Sequence, residues 1–435
     1  MSRMQELFQQ HLQHLQQLSQ DAIFRSHLEG IWIHAGQEEY YFLDDQTKPF
    51  KINPLFNYFV PNTTAEGSWL YIDGTNKPHL YLYSPQDYWH YTAPPQDDFW
   101  TTAFEWTILS HKQDIIPFLK NTTRCAYLGA HDNWASELGF HQINPQKILN
   151  FFHYHRSIKT DYEIACMKQA QSIAYMGHQH IQQCYLQAEH SEYTLNLAYL
   201  QATKQTDISV PYSNIIAFNQ HAATLHYTQL SHEIPAQKHS LLIDAGASYL
   251  GYAADITRTY SFENNEFAAM IQAMDQVKHH IIASLQVGYN FLSYHTHMHQ
   301  MISNIIHDFD LVHLSADAIF EEGISRTFCP HGLGHLLGLQ VHDTGGFLQN
   351  IRGSHKAPPD IYPSLRCTRD LQPNMVLTIE PGFYFIDMLL DHWKNHALSR
   401  YFNWEKLAKL RVYGGIRTED NVRILPNGVE NLYEA

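Results

Sequence analysis

Charge is scarce in this 435-residue chain, and what there is leans one way. Charged residues make up 16% of it, below the usual share of about a quarter. The 43 acidic residues outnumber the 28 basic ones and leave a formal net charge of −15. A balance of that sign argues against a nucleic-acid backbone or an anionic membrane as the main partner. Long apolar runs are missing as well, and none approaches the roughly 18 residues of a membrane helix. The start, Met1 to Gln20, is polar and Gln-rich. It has no basic opening before an apolar stretch, so it does not read as a secretory signal. Cysteine is limited to Cys125, Cys166, Cys184, Cys329 and Cys367. An odd number at irregular spacing, with no CxxC, excludes a disulfide framework and points to reduced thiols in a cytoplasmic protein.

What is present is apolar and aromatic material enough for cores. Hydrophobic residues reach 44%, and the length exceeds what a single core usually serves, so two domains are expected. The fold class expected is α/β in two domains: a small N-terminal mixed-sheet domain over 1–155, which shapes and covers a site, and an α+β catalytic domain over 156–435. Leu7, Leu12, Leu15 and Leu18 keep to one face of an N-terminal helix. Ile31–Ile33, Tyr40–Leu43, Trp69–Ile72 and Leu80–Tyr83 read as strands, the last two parted by the turn Asp73-Gly-Thr-Asn-Lys-Pro78. Near the boundary, Thr160-x-x-Glu163 is a capping box before a helical pattern.

Chemistry concentrates in the second half. Leu241-Leu-Ile-Asp244 is an apolar run that ends in an acid, and Ala254-Asp255-Ile-Thr-Arg-Thr259 follows a short glycine-bearing turn. A buried carboxylate is expensive unless paired or metal-bound, and two held together repel unless a cation stands between them. Taken alone, the pair is equally readable as surface acids flanking a turn. A third segment, Cys329-Pro-His331-Gly-Leu-Gly-His335-Leu-Leu-Gly338, is followed by His342. Among 31 histidines only the Gly-rich, otherwise apolar loop singles these out, because glycine lets backbone approach closely. Val376-Leu-Thr-Ile-Glu380-Pro-Gly382 is another strand ending in a carboxylate. In Gly414-Gly-Ile-Arg417-Thr-Glu419-Asp-Asn421, a strand period of two puts Arg417, Glu419 and Asn421 on one face and Asp420 on the other. Four carboxylates and one imidazole, Asp244, Asp255, His335, Glu380 and Glu419, suit two hard or borderline divalent ions. Mn²⁺ fits first, with Co²⁺ or Zn²⁺ possible. Two such ions can hold a hydroxide between them and polarise a carbonyl.

The order Asp–Asp–His–Glu–Glu, with HGLGH, IEPGFY and GGIRTEDNV, resembles the pita-bread metallopeptidases, which include methionine aminopeptidase, aminopeptidase P and prolidase. Arg156-x-x-Lys159-Thr160-x-x-Glu163 resembles the entry to their catalytic domain. FLDDQTKPFKINPLFNYFVP and DGTNKPHLYLYSPQDYWH narrow the resemblance to the bacterial Xaa-Pro dipeptidases (PepQ-type prolidases), relatives of organophosphorus acid anhydrolases. The resemblance spans essentially the whole chain. It implies a homodimeric, cytoplasmic enzyme that hydrolyses dipeptides ending in proline, with organophosphate esters as a side activity. Aminopeptidase P-like cleavage of longer Xaa-Pro peptides is the alternative. A non-catalytic module on the same fold would normally have lost ligands, and all five are here. The resemblance also implies roles. Asp255 and Glu419 bridge two metals, Asp244 completes one site, and His335 with Glu380 completes the other. Glu380 shuttles the proton, and His331 and His342 steady substrate or intermediate. Arg366 and Arg417 are candidates for the substrate carboxylate, while Tyr212 and His226 are pocket walls. Asp45 is lent by a neighbouring subunit. Phe291 stands where a tyrosine is expected in the leaving-group pocket.

Overall fold

The computed structural model describes residues 2–89, 98–187 and 189–433; His90, which ends one of the N-terminal motifs, lies outside them. Contacts divide the chain into two units, one running to Cys166 and including 350–354, the other formed by 167–349 and 355–435.

The first unit is a six-stranded mixed sheet. Its strands are β1 (Gly30–His34), β2 (Trp69–Ile72), β3 (His79–Tyr83), β4 (Glu105–Leu109), β5 (Cys125–Leu128) and β6 (Gln142–Ile143), in the order β4-β3-β2-β1-β5-β6. The hairpin β1–β2–β3 is antiparallel, while β4 joins β3, and β5 and β6 extend β1, all in parallel. Trp32, Trp69, Tyr81, Tyr127 and Phe140 fill one buried cluster on it. The first helix, Arg3–Ser26, starts where Ser2 accepts a hydrogen bond from the Gln5 N–H and ends at a left-handed His27. Its buried stripe is Phe8, Leu12, Leu15, Leu18 and Ala22, the period expected of an amphipathic helix, with Phe8 in the place given above to Leu7. The capping box forms: Glu163 accepts from the Thr160 N–H at 2.9 Å and the Glu163 N–H meets Thr160 Oγ1 at 3.4 Å.

One expected strand is absent. Tyr40–Leu43 is an exposed loop with a single bridge, Tyr40 to Thr47. Phe42 and Leu43 are 93% and 91% exposed, and Leu43 is left-handed. Strand propensity describes a fit to a half-buried pleated surface, and here no sheet runs alongside to supply one.

The second unit carries β7 (Ile215–Phe218), β8 (Ser240–Asp244), β9 (Ser248–Tyr249), β10 (Tyr252–Ala253), β11 (Thr257–Ser261), β12 (Val376–Ile379), β13 (Gly382–Tyr384), β14 (Gly415–Arg417), β15 (Asp420–Leu425) and β16 (Gly428–Asn431). The sheets are β11-β8-β7, β12-β15-β16, β13-β14 and the small hairpin β9-β10. All these pairings are antiparallel. Leu241 and Ile243 point into a cluster with Ile181, Leu195 and Tyr199 from two helices, while Leu242 joins Ile215, Ala217 and Ala222 on the other face. Burial on both faces, at about 1.5–3 kcal/mol per large side chain, fixes the register, and the register puts Asp244 opposite Thr257. Asp255 sits just before β11, in the turn rather than in the strand. No helix among the described residues is long and apolar enough to cross a membrane, and all five cysteines are free and buried.

Several histidines are buried as neutral rings. Burial, against the Tyr58 carbonyl bond that opposes it, takes His11 down to about 4; burial, with His131 and Lys112 nearby, takes His34 down to about 3. Above the ordinary value of 6.5 folded and unfolded chains are both neutral at these rings. As pH falls below it, the unfolded chain gains protons that the folded one refuses. Stability should therefore drop between about pH 6.5 and pH 4, by about 3 kcal/mol for His11 alone. Urea midpoints measured across that range test this, and a flat profile contradicts it.

Candidate metal centre

The centre is assembled where strand ends meet. Asp244 closes β8, Asp255 precedes β11, Glu380 follows β12 and Glu419 precedes β15. The Glu419 N–H donates to the Thr257 carbonyl at 3.0 Å, tying the β15 entry to the start of β11. His335 comes from the Gly-rich loop, whose Leu336 bridges to Leu377 of β12. That loop lies against the strand because Gly334 has no side chain: a β-carbon there would stand 2.0 Å from the Thr378 carbonyl oxygen. Gly382 makes a similar allowance, since its β-carbon would fall 2.6 Å from His331 Nε2.

Among the described residues, ligand atoms of Asp255, His335 and Glu419 lie within 4.8 Å of one another. Glu380 Oε1 is 3.4 Å and Asp255 Oδ2 3.5 Å from His335 Nε2. His335 Nδ1 meets the Leu336 carbonyl at 3.0 Å. A carbonyl only accepts, so Nδ1 carries the hydrogen, and the Nε2 lone pair faces two carboxylates. Asp244 is joined to Asp255 by the Tyr212 hydroxyl, at 2.8 and 2.5 Å respectively; its one hydrogen serves both. Arg417 Nη2 holds Asp244 Oδ2 at 2.7 Å and Nη1 donates to Tyr384 Oη at 2.8 Å. Tyr384 reaches His331 Nε2 at 3.0 Å, while His331 Nδ1 bonds the Gly332 carbonyl at 2.8 Å.

The electrostatics are those of crowded acids. Burial, reinforced by Asp255 and Asp244, pushes Glu380 up to about 7. Burial and three neighbouring carboxylates drive Glu419 well above the usual range. Asp244 is also raised, by burial first, against the opposing pull of Arg417. Burial works to lower His335, but Asp255 and Glu380 outweigh it and the ring ends above its ordinary value. Glu419 Oε2 accepts from Thr257 Oγ1 at 2.7 Å, whereas Oε1 is buried with no protein partner among the described residues. An orphaned carboxylate oxygen, an imidazole nitrogen aimed at two carboxylates and acids of raised proton affinity together fit divalent cations, which would displace the protons held there.

The two-residue period at 417–421 holds. Arg417 reaches Asp244, Glu419 joins the cluster, and the Asn421 side chain both accepts from the Asp255 N–H and donates to its carbonyl, at 2.9 and 2.6 Å. Asp420 faces the other way, between Arg258 at 2.6 Å and Lys278 at 3.0 Å. His342 is exposed, its ring edge-on to His335 with centroids 4.5 Å apart. His226 and Arg366, both exposed, stand close enough for their charges to add to the larger lowering of the His342 pKa by lost solvation. Phe291 is wholly buried at the start of helix Phe291–Asp308. Its N–H bonds the Arg369 carbonyl, and no described contact ties it to the cluster. Asp45 belongs to the other unit, on the exposed loop.

Sequence reasoning missed three hydroxyls. Thr257, Thr378 and Tyr384 stand inside the segments quoted above without being singled out. The available signal was period two: Thr378 precedes Glu380 by two residues, and Tyr384 follows Gly382 by two. Thr378 Oγ1 accepts from the His335 N–H at 3.0 Å and meets Glu380 Oε1 at 3.2 Å, so it holds two ligand candidates at once.

Solved structures share this fold. Aminopeptidase P from Escherichia coli with the inhibitor Pro-Leu superposes with a TM-score of 0.75 at 21% identity, covering 99% of this chain and 94% of that one. Proline aminopeptidase P II from Yersinia pestis gives 0.72 at 21% identity, over 98% and 96%. The family model for metallopeptidase family M24 matches residues 165–426, and that for the Xaa-Pro dipeptidase N-terminal domain matches 6–154. The chain belongs to metallopeptidase family M24. Within it, the Xaa-Pro dipeptidase of Glaesserella parasuis is 59% identical over 431 residues, covering 99% of this chain and 98% of that protein. The Xaa-Pro dipeptidase of Actinobacillus pleuropneumoniae is 56% identical over 432 residues, covering 99% and 97%. The family brings divalent metal ions with it, in a dinuclear site.

Removing the Thr378 hydroxyl tests whether these ligand candidates are oriented from behind. Thr378→Val should weaken divalent-metal binding roughly 10- to 100-fold, read by titrating the metal-free protein with Mn²⁺. Unchanged affinity would show that the two hydrogen bonds do not set the ligands.

Proposed function

We propose that this protein is a metal-dependent Xaa-Pro dipeptidase that splits dipeptides whose second residue is proline. The observation that carries hydrolysis is the buried cluster of Asp255, His335 and Glu419, with Glu380 3.4 Å from His335 Nε2 and Asp244 joined to Asp255 through the Tyr212 hydroxyl. The dipeptide preference rests on full-length relatives of that name. In this reading Asp244, Asp255, His335, Glu380 and Glu419 would hold two divalent ions, Mn²⁺ first among them, with Asp255 and Glu419 contributing to both sites. Bound there, the ions would supply an acidified water and a Lewis acid for the scissile carbonyl.

The chain's own groups do the rest. Glu380 takes the proton of the attacking water and hands it to the proline nitrogen, which leaves as a secondary amine. His342, exposed beside His335, donates to the carbonyl oxygen as charge develops. His331, fixed by Tyr384, lines the pocket with Tyr212 and His226. Arg366 is the better of the two candidates for the proline carboxylate. Its guanidinium is exposed, whereas that of Arg417 is buried and engaged by Asp244 and Tyr384. A planar fork matches a carboxylate in two parallel bonds. Phe291 keeps the ring of an expected tyrosine without its hydroxyl, but it is wholly buried and no described contact ties it to the cluster, so it takes no part in this reading. A homodimer in which Asp45 meets a neighbouring subunit's substrate belongs to the same reading; the exposed Phe42 and Leu43 beside it support a contact there. Five free, buried thiols support the cytoplasm as its compartment.

The Mn²⁺-loaded protein should hydrolyse Ala-Pro and leave Ala-Ala and Ala-Pro-Ala intact, with slow release from an organophosphate triester. Cleavage of the tripeptide would move the assignment to aminopeptidase P-like activity. Asp255→Asn should lose measurable Ala-Pro hydrolysis and lower the bound metal determined by elemental analysis. An active, metal-replete variant would remove Asp255 from the centre.

A further inference from the structure

Glu192 is a carboxylate without a role in the reading above. It opens helix Glu192–Thr203 and is 1% exposed, a costly place for an acid. The helix does not need it as a cap. Ser191 Oγ accepts from the Thr194 N–H, and Thr194 Oγ1 accepts from the Ser191 N–H.

What Glu192 holds is a loop. Oε1 accepts from the Phe218 N–H at 2.8 Å and meets His221 Nδ1 at 2.7 Å. Oε2 accepts from Tyr227 Oη at 2.8 Å and from the Ser231 N–H at 2.7 Å. An ionised carboxylate offers about four lone-pair positions, so this one is saturated, and every donor comes from residues 218–231. The His221 and Tyr227 rings also stack, with centroids 4.5 Å apart. His226 lies inside the span so clamped. It is exposed and lies near enough to His331 and His342 to add a small lowering to the pKa of each.

We propose that Glu192 is a positioning residue. It draws both ends of the loop onto one buried carboxylate and so fixes His226 over the pocket, setting how tightly the dipeptide is held. This rests on the dipeptidase reading for its substrate, though not for its geometry. None of the five ligand candidates lies in the loop, so loosening it should act on substrate affinity and leave the metals in place.

The experiment uses Mn²⁺-loaded full-length protein with Ala-Pro. In Glu192→Gln an amide N–H₂ meets donors, and in the milder Tyr227→Phe one donor is removed. Both should raise KM, Glu192→Gln by roughly tenfold or more, the scale of a lost charge-assisted hydrogen bond. Metal content should stay unchanged, and kcat within about a factor of three, below the tenfold that one such bond represents. Amides of 219–230 should lose hydrogen-exchange protection. His226→Ala should raise KM in the wild-type background and add little on top of Tyr227→Phe, because coupled residues are not additive. A purely structural role predicts otherwise: lower kcat from less folded protein, KM untouched, and additive penalties. That result, or unchanged loop protection in Glu192→Gln, overturns the proposal. Should Glu192→Gln fail to fold, Tyr227→Phe with its double variant decides. If wild-type protein cleaves no Xaa-Pro dipeptide, the dipeptidase reading fails, and hydrogen exchange still judges the clamp.

Discussion

Asp244, Asp255, Glu380 and Glu419 are gathered into one buried cluster, where lost solvation and the neighbouring acids raise the proton affinity of Asp244, Glu380 and Glu419. Much of the second unit can be read as an answer to that repulsion. Arg417 brings one fixed positive charge to Asp244. Tyr212 lends a single hydrogen to two acids, and Thr257 satisfies one oxygen of Glu419. His335 gives its Nδ1 hydrogen to the Leu336 carbonyl and turns Nε2 toward the acids, an arrangement that suits a divalent cation between them. Folding such a pocket without compensating groups would cost several kcal/mol per charge. The flanking cores, in which Leu241, Leu242 and Ile243 are almost wholly buried, supply the rigidity that keeps it assembled.

Position is delivered by strand ends and by backbone bonds behind the ligands. Asn421 binds both the backbone N–H and the backbone carbonyl of Asp255, and Thr378 touches His335 and Glu380 together. Such contacts leave little freedom for the first ring of donors, which is what a site needing fixed coordination requires. On the outer side of the same strand, Asp420 finds Arg258 and Lys278. Burial alone would raise Asp420, and the two cations bring it below the ordinary carboxylate range instead. Adjacent acids thus end with opposite proton affinities, a separation set only by which way each side chain points.

Much of this was legible in the residues. Apolar runs ending in acids marked Asp244 and Glu380, since few other uses exist for a carboxylate at the end of a buried strand. Period two by itself separates Glu419 from Asp420. His335 was visible only through the glycines around it, and Gly334 shows why: the loop lies against Thr378 with no room for a β-carbon. Hydroxyl partners were not legible, because a threonine in a strand looks the same whether it supports a ligand or simply packs. Glu192 was invisible for a related reason, as its four donors are gathered from residues 218–231 by folding and not by spacing. Tyr40–Leu43 failed in the other direction: aromatic composition suggested a strand where no neighbour exists to pair with.

The Tyr384 hydroxyl has a consequence that reaches beyond support. It sits between Arg417 and His331, and Arg417 in turn grips Asp244, so a continuous chain of hydrogen bonds runs from Asp244 in the acidic cluster to His331. The His331 tautomer is set along this chain, since its Nδ1 hydrogen is given to Gly332 and its Nε2 is left to accept from Tyr384. Two binding events that share such a chain exchange free energy reciprocally. A change in the charge of Asp244 thus has a path of hydrogen bonds by which to reach His331, and any coupling along that path acts with equal strength in both directions.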